Sequence, residues 1–121
     1  MTLPEDTQPN TAIQHTVAFR LRHPAGSPAE REFLEAARAL ASIPVVEDFQ
    51  QLRQVSPKSD FTFFFSMRFA DSVAYQAYNA HPTHIAFVRD RWDVEVSDFQ
   101  ELDFTALALP VDRRVDEAGR D

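Results

Sequence analysis

Hydrophobic and polar positions alternate from Ile13 to Leu21. Ile13, His15, Val17, Phe19 and Leu21 fall on one side, Gln14, Thr16, Ala18 and Arg20 on the other. A period of two predicts a strand, and His23-Pro24-Ala25-Gly26 ends it. Ser27-Pro28-Ala29-Glu30 then carries the start signal of a helix: a hydroxyl cap, proline at the first helical position and glutamate three residues after the cap. Phe33, Leu34, Ala37, Leu40 and Ala41 follow at helical spacing, so this helix is predicted over about 28–41, closed by Ile43-Pro44. Between Val45 and Val55 the apolar residues Val46, Phe49, Leu52 and Val55 recur every third position, which suits neither template. Their β-branched and aromatic character predicts a short strand with a bulge. Phe61 to Phe69 is the most regular strand, with Phe61, Phe63, Phe65, Met67 and Phe69 on one face. Asp71 caps a helix through Val73, Ala74, Ala77 and Tyr78. His81-Pro82 breaks it, because a proline pushes the residue before it out of the helical region. Pro82 opens a second helix to about Arg91, and Val94 to Phe104 forms a last, less regular strand.

The order β-α-β-β-α-β, with the second helix split, predicts an α+β ferredoxin-like fold: a four-stranded antiparallel sheet with its helices on one face. Ala18, Phe64 and Phe99 are then expected on the uncovered face. Apolar side chains there favour a homodimer through the sheet faces, two protomers forming a dimeric α/β barrel. The organisation is one domain over 12–108. Residues 1–11, with Pro4 and Pro9, are expected as a disordered N-terminal segment. Residues 109–121, with Pro110 and Asp112-Arg113-Arg114, are expected as a flexible charged tail.

Composition narrows the function classes. A net charge of −7 argues against nucleic acid and anionic membrane surfaces, which need clustered lysine and arginine. The absence of cysteine removes disulfides, thiolate metal sites and cysteine nucleophiles. No apolar run approaches the ~20 residues of a membrane span, and Met1 to Thr11 has no apolar signal core. A cytoplasmic location is expected. Eleven phenylalanines against two glycines leave no Gly-rich phosphate loop and supply a large apolar payload.

The residues that bear chemistry gather in Tyr78-Asn79-Ala80-His81-Pro82-Thr83-His84-Ile85-Ala86-Phe87. Tyr78 ends one helix and His84 sits in the first turn of the next. A histidine that titrates near neutrality and a tyrosine that donates a proton can do acid/base work together, or can serve packing alone. On a continuous helix the two would lie roughly 120° apart, so the break at Pro82 is what permits them to meet. His15 occupies an apolar-face position, as a core histidine satisfied by hydrogen bonds or as part of a pocket wall. His81 is placed to cap the second helix. His81 and His84 have a metal-like spacing, but no carboxylates or thiols complete a set, and no metal or other cofactor is expected. No Gly-x-Ser-x-Gly elbow is present.

Several segments carry a family resemblance: Ile13-Gln14-His15, Ile43-Pro44-Val45, Phe69-Ala70-Asp71, Tyr78-x-x-His81-Pro82-x-His84, Phe87-Val88 with Trp92, Asp98-Phe99 and Asp103-Phe104. Over residues 13 to about 104 the chain resembles the stress-responsive α/β-barrel domain (Dabb) family. The resemblance implies a ferredoxin-like protomer and a homodimer closing an α/β barrel, of unassigned biochemical activity. It further implies a small ligand pocket, expected at His15, Phe19, Phe87 and Val88. One plant branch of the family holds polyketide cyclases that close a ring by an aldol step. Their catalytic pair matches Tyr78 and His84, and a pocket histidine matches His15. A cofactor-free cyclase- or lyase-like enzyme using this His/Tyr pair is therefore one alternative to a ligand-binding protein. A heme- or quinone-handling monooxygenase of the wider dimeric barrel group is another.

Overall fold

The computed structural model describes residues 11–107. The expected disorder of the N-terminal segment and flexibility of the charged tail concern residues almost wholly outside that range. Four strands, β1 (Ile13–Leu21), β2 (Glu47–Arg53), β3 (Phe63–Phe69) and β4 (Val96–Phe104), form one sheet in the order β2-β3-β1-β4. Every neighbouring pair is antiparallel. Helix α1 (Pro28–Ala36) connects β1 to β2, and α2 (Ser72–Ala80) and α3 (Pro82–Phe87) connect β3 to β4. This is the ferredoxin-like β-α-β-β-α-β topology.

The helix starts follow from their caps. The Ser27 side chain accepts from the Glu30 N–H, and Glu30 reaches back to the Gly26 N–H at 3.0 Å. Asp71 accepts from Ala74 at 2.8 Å. The helix predicted to run to residue 41 is α-helical only to Ala36 and tightens into a 3₁₀ segment, Ala37–Ser42. The second split helix is shorter than predicted too. After Phe87 the chain passes through a π-type turn, Val88–Trp92, and a single helical turn, Asp93–Glu95. The last strand accordingly starts at Val96 rather than Val94, and Val94 is exposed.

Two bulges account for the irregular apolar spacing in the outer strands. In β2, Glu47 pairs with Arg68 and Gln50 with Ser66, three residues against two, and Asp48 takes the extra position at φ 54°. Phe49 then packs on Phe65 beneath the helices, while Leu52 opposite Phe64 faces outward. Val55, expected in this strand, lies beyond it and is exposed. In β4, Val96 pairs with Leu21 and Asp98 with Arg20, which leaves Ser97 as the extra residue. The alternation resumes in the opposite phase, so Phe99, Glu101 and Asp103 point to the helices, opposite Phe19, Val17 and His15. The assignment of Phe99 to the uncovered face is thereby corrected. Phe99 meets Trp92 edge-on at 5.6 Å on the helix side.

The core lies between the helices and the inner sheet face. Phe19, Phe33, Phe63, Phe65, Phe69 and Phe87 are all buried there. Phe19 is fully enclosed, 4.7 Å from Phe65 and 4.9 Å from Trp92 between ring centroids. The outer face is covered by no element among the described residues. It carries Leu52, Phe64, Ala18, Leu102 and Phe104, of which Leu52, Leu102 and Phe104 are close to half exposed.

Candidate functional site

The site begins with the break between α2 and α3. His81 is extended (φ −70°, ψ 135°), as a residue before proline must be, and its Nδ1 accepts from the Thr83 N–H at 3.1 Å. His81 is thus spent as a helix cap. The cap turns the chain so that His84, two residues into α3, comes back over the end of α2. His84 Nδ1 lies 3.3 Å from the carbonyl of Asn79, one of the α2 carbonyls left without a helical partner. Its ring stands 4.3 Å from the ring of Tyr78. With Nδ1–H donating to that carbonyl, the lone pair of the neutral imidazole is on Nε2.

Tyr78 is only 2% exposed. Its hydroxyl makes no hydrogen bond to another described residue, yet it is not sealed away, since among the described residues no fully enclosed polar side-chain atom lacks a partner. It opens on a cavity of about 250 Å³ between the helices and the inner sheet face, which Tyr78 and His84 both line. Val17, Leu40, Phe65, Met67, Phe87, Val88, Trp92 and Phe99 supply apolar wall, and His15, Asn79, Asp93 and Glu101 complete it. Burial holds the His84 imidazole below its ordinary pKa. The Asn79 carbonyl opposes this, the His15 ring adds to it, and Glu101 opposes it. Burial pushes the Tyr78 phenol well above its ordinary range, and the Glu101 charge adds to the effect. At neutral pH the cavity therefore holds a neutral base and a protonated donor side by side.

His15 anchors the far wall. It is 5% exposed and sits in a closed ring of hydrogen bonds. Nδ1 lies 2.7 Å from Asp103 Oδ1 and 2.9 Å from the Tyr75 hydroxyl, and Tyr75 donates to Asp103 Oδ2 at 3.0 Å. Tyr75 and Tyr78, three apart on α2, share the face that meets His15, at 5.1 and 6.0 Å between ring centroids.

Of the residues singled out from sequence, His15, Tyr78, His84, Phe87 and Val88 come together at one cavity. Phe19 does not line it. Its side chain points to the same sheet face but is roofed by Phe33 and Trp92, so its place on the pocket wall is corrected to a place in the core. Sequence reasoning missed Tyr75, Trp92, Phe99, Glu101 and Asp103. The i, i+3 spacing of Tyr75 and Tyr78 was a usable signal for the first. The β4 residues were hidden by the bulge at Ser97.

The fold and this cavity define the class: a ferredoxin-like α+β domain with a ligand-sized space between sheet and helices. The chain belongs to the stress responsive A/B barrel domain (Dabb) family, which matches residues 13–106. A solved Dabb-family protein with a ferredoxin-like fold, from Mesorhizobium loti, is 52% identical. The match covers 79% of this chain and 97% of that one, with a TM-score of 0.78. The hydroxynitrile lyase of Passiflora edulis is 14% identical over 85% of this chain and 100% of its own, with a TM-score of 0.73. A dimeric ferredoxin-like protein of unknown function from Thermobifida fusca is 19% identical over 80% of this chain and 92% of its own, with a TM-score of 0.66. At those identities the last two are alike in fold alone. No curated protein matches the chain. Among the described residues no helix is long and apolar enough to cross a membrane, and no group of three or more His, Asp or Glu side chains is arranged to hold a metal ion.

Proposed function

We propose that the protein acts as a homodimer whose protomers each bind a small carbonyl compound in this cavity, with His84 as a proton acceptor and Tyr78 as hydrogen-bond donor to the carbonyl oxygen. The observation that carries the reading is the pairing itself: a His84 ring held 4.3 Å from a buried tyrosine whose hydroxyl has no partner among the described residues, on one cavity. Nε2 of neutral His84 would take the proton from the carbon next to the carbonyl, and Tyr78 would stabilise the charge that develops on oxygen. No cofactor is needed for that step. It is the step an aldol-type cyclase activity would use. Pairing of two outer sheet faces, closing an α/β barrel, is supported by the apolar residues Leu52, Phe64, Leu102 and Phe104 on that face. The Thermobifida relative is described as dimeric.

The test is deuterium uptake at the α-carbon of phenylacetone in D₂O, followed by proton NMR. The protein should speed exchange over buffer by the hundredfold or more that a positioned base supplies. His84→Ala should remove the acceleration with its circular dichroism unchanged. Exchange no faster than in buffer, or equal rates for wild type and His84→Ala, would overturn the catalytic reading.

A further inference from the structure

We infer that the cavity selects an uncharged carbonyl compound with an apolar body and turns away carboxylates and phosphates. The inference rests on the reading of the cavity as a ligand site and adds the chemical class that site accepts.

The argument starts from what the walls offer. One group asks for a partner: the Tyr78 hydroxyl, on a residue 2% exposed and with no hydrogen bond to another described residue. As a protonated phenol it is a donor, so its partner is an acceptor oxygen. Around it, Met67, Phe87, Val88, Trp92 and Phe99 present apolar surface suited to a ring or short chain. Against this the charged members of the wall are all of one sign. Asp93 and Glu101 line the cavity, and among the described residues no lysine or arginine does. The guanidinium groups of the adjoining turn are engaged elsewhere, Arg89 with Asp90 at 2.7 Å and Arg91 with Glu95 at 2.5 Å. Asp103, behind His15, adds a third carboxylate to the same side. The Glu101 charge is felt by both Tyr78 and His84. An anionic ligand would lose its hydration to meet carboxylates with no counter-ion, whereas a ketone or aldehyde would lose little and gain the Tyr78 hydrogen bond.

Phenylacetone and phenylacetate form a matched pair for the test, alike in shape and different in charge. Trp92 is the single tryptophan and lines the cavity, so its fluorescence reports binding of either. At pH 7 and low salt the ketone should bind at least about tenfold more tightly, a difference of ~1.4 kcal/mol. Raising the salt to about 0.5 M should narrow the ratio, because screening weakens the repulsion at this half-open site. Glu101→Gln with Asp93→Asn should bring the ratio to within about threefold. Equal binding of the two compounds by the wild type, or a ratio that neither salt nor the double variant moves, would overturn charge selection and leave the ligand site standing. Failure of both compounds to bind would overturn both the inference and the ligand-site reading beneath it.

Discussion

Replacing Asp103 by alanine should cost the fold about 2–3 kcal/mol. Asp103 holds two donors at once: His15 Nδ1–H at 2.7 Å and the Tyr75 hydroxyl at 3.0 Å. A hydrogen bond to a charged acceptor is worth about 1.5–3 kcal/mol when its partner is left buried and unpaired. His15 is buried, at 7% side-chain exposure, and would keep only the neutral Tyr75 hydroxyl, 2.9 Å from Nδ1, in place of the carboxylate, so most of its bond is lost. The carboxylate itself is 41% exposed, so water can replace part of what Tyr75 loses, and the second bond adds less. Tyr75→Phe alone should cost about 1 kcal/mol, since His15 keeps its acceptor. The double variant should be less unstable than the sum by about 1 kcal/mol, because removing Asp103 has already broken the bond that the tyrosine change removes. Urea unfolding of the four proteins, followed by Trp92 fluorescence, measures all these terms. An Asp103→Ala protein within about 0.5 kcal/mol of wild type, or a cycle that adds without coupling, would show that the ring does not hold the far wall of the cavity.

Other expectations are simpler to state. Leu102→Asp puts a charge on the outer face opposite Thr16, and sedimentation velocity should show association weakened at least about tenfold, ~1.4 kcal/mol; a wild type that sediments as one chain at micromolar concentration would end the dimer proposal. His84 should titrate below 6.5 when its ring protons are followed by NMR, and the proton-transfer rate should rise with pH with its midpoint below that value, because the base is the neutral form. The same shift has a sign for stability. Below pH 6.5 the unfolded chain takes up a proton that folded His84 resists, so stability falls with pH until the folded pKa is passed, and His84→Gln should flatten that part of the curve.

Local signals made most of the fold legible in the sequence. Alternation from Ile13 and from Phe63, the Ser27 and Asp71 caps and the His81-Pro82 break each fix an element through its nearest neighbours in the chain. The pair Tyr78 and His84 was visible for the same reason, since a proline between them controls their geometry. Non-local pairing was hidden. Phe99 falls out of phase with Val94 and Val96 only because a residue is inserted against Arg20 and Leu21, and that is a property of two strands. Asp103 could not be matched to His15, 88 residues away, without that register. Phe19 shows the other limit. Periodicity gives the face a side chain points to, and whether that point of the face is roofed depends on Phe33 and Trp92 from distant elements.

The bulge at Ser97 also sets where β4 tolerates a change of length. Ser97 sits outside the alternation, with Val96 inward and Asp98 outward on either side. A chain lacking Ser97 would keep every later residue on its present side and lose only the local kink. A chain lacking Gln100 would instead exchange the duties of everything after it. Glu101 and Asp103 would turn to the outer face, and Leu102 and Phe104 would turn over the cavity. One-residue deletions in the same strand are thus predicted to range from nearly silent to ruinous, according to whether they fall on the inserted residue or on Gln100, ahead of the run of four.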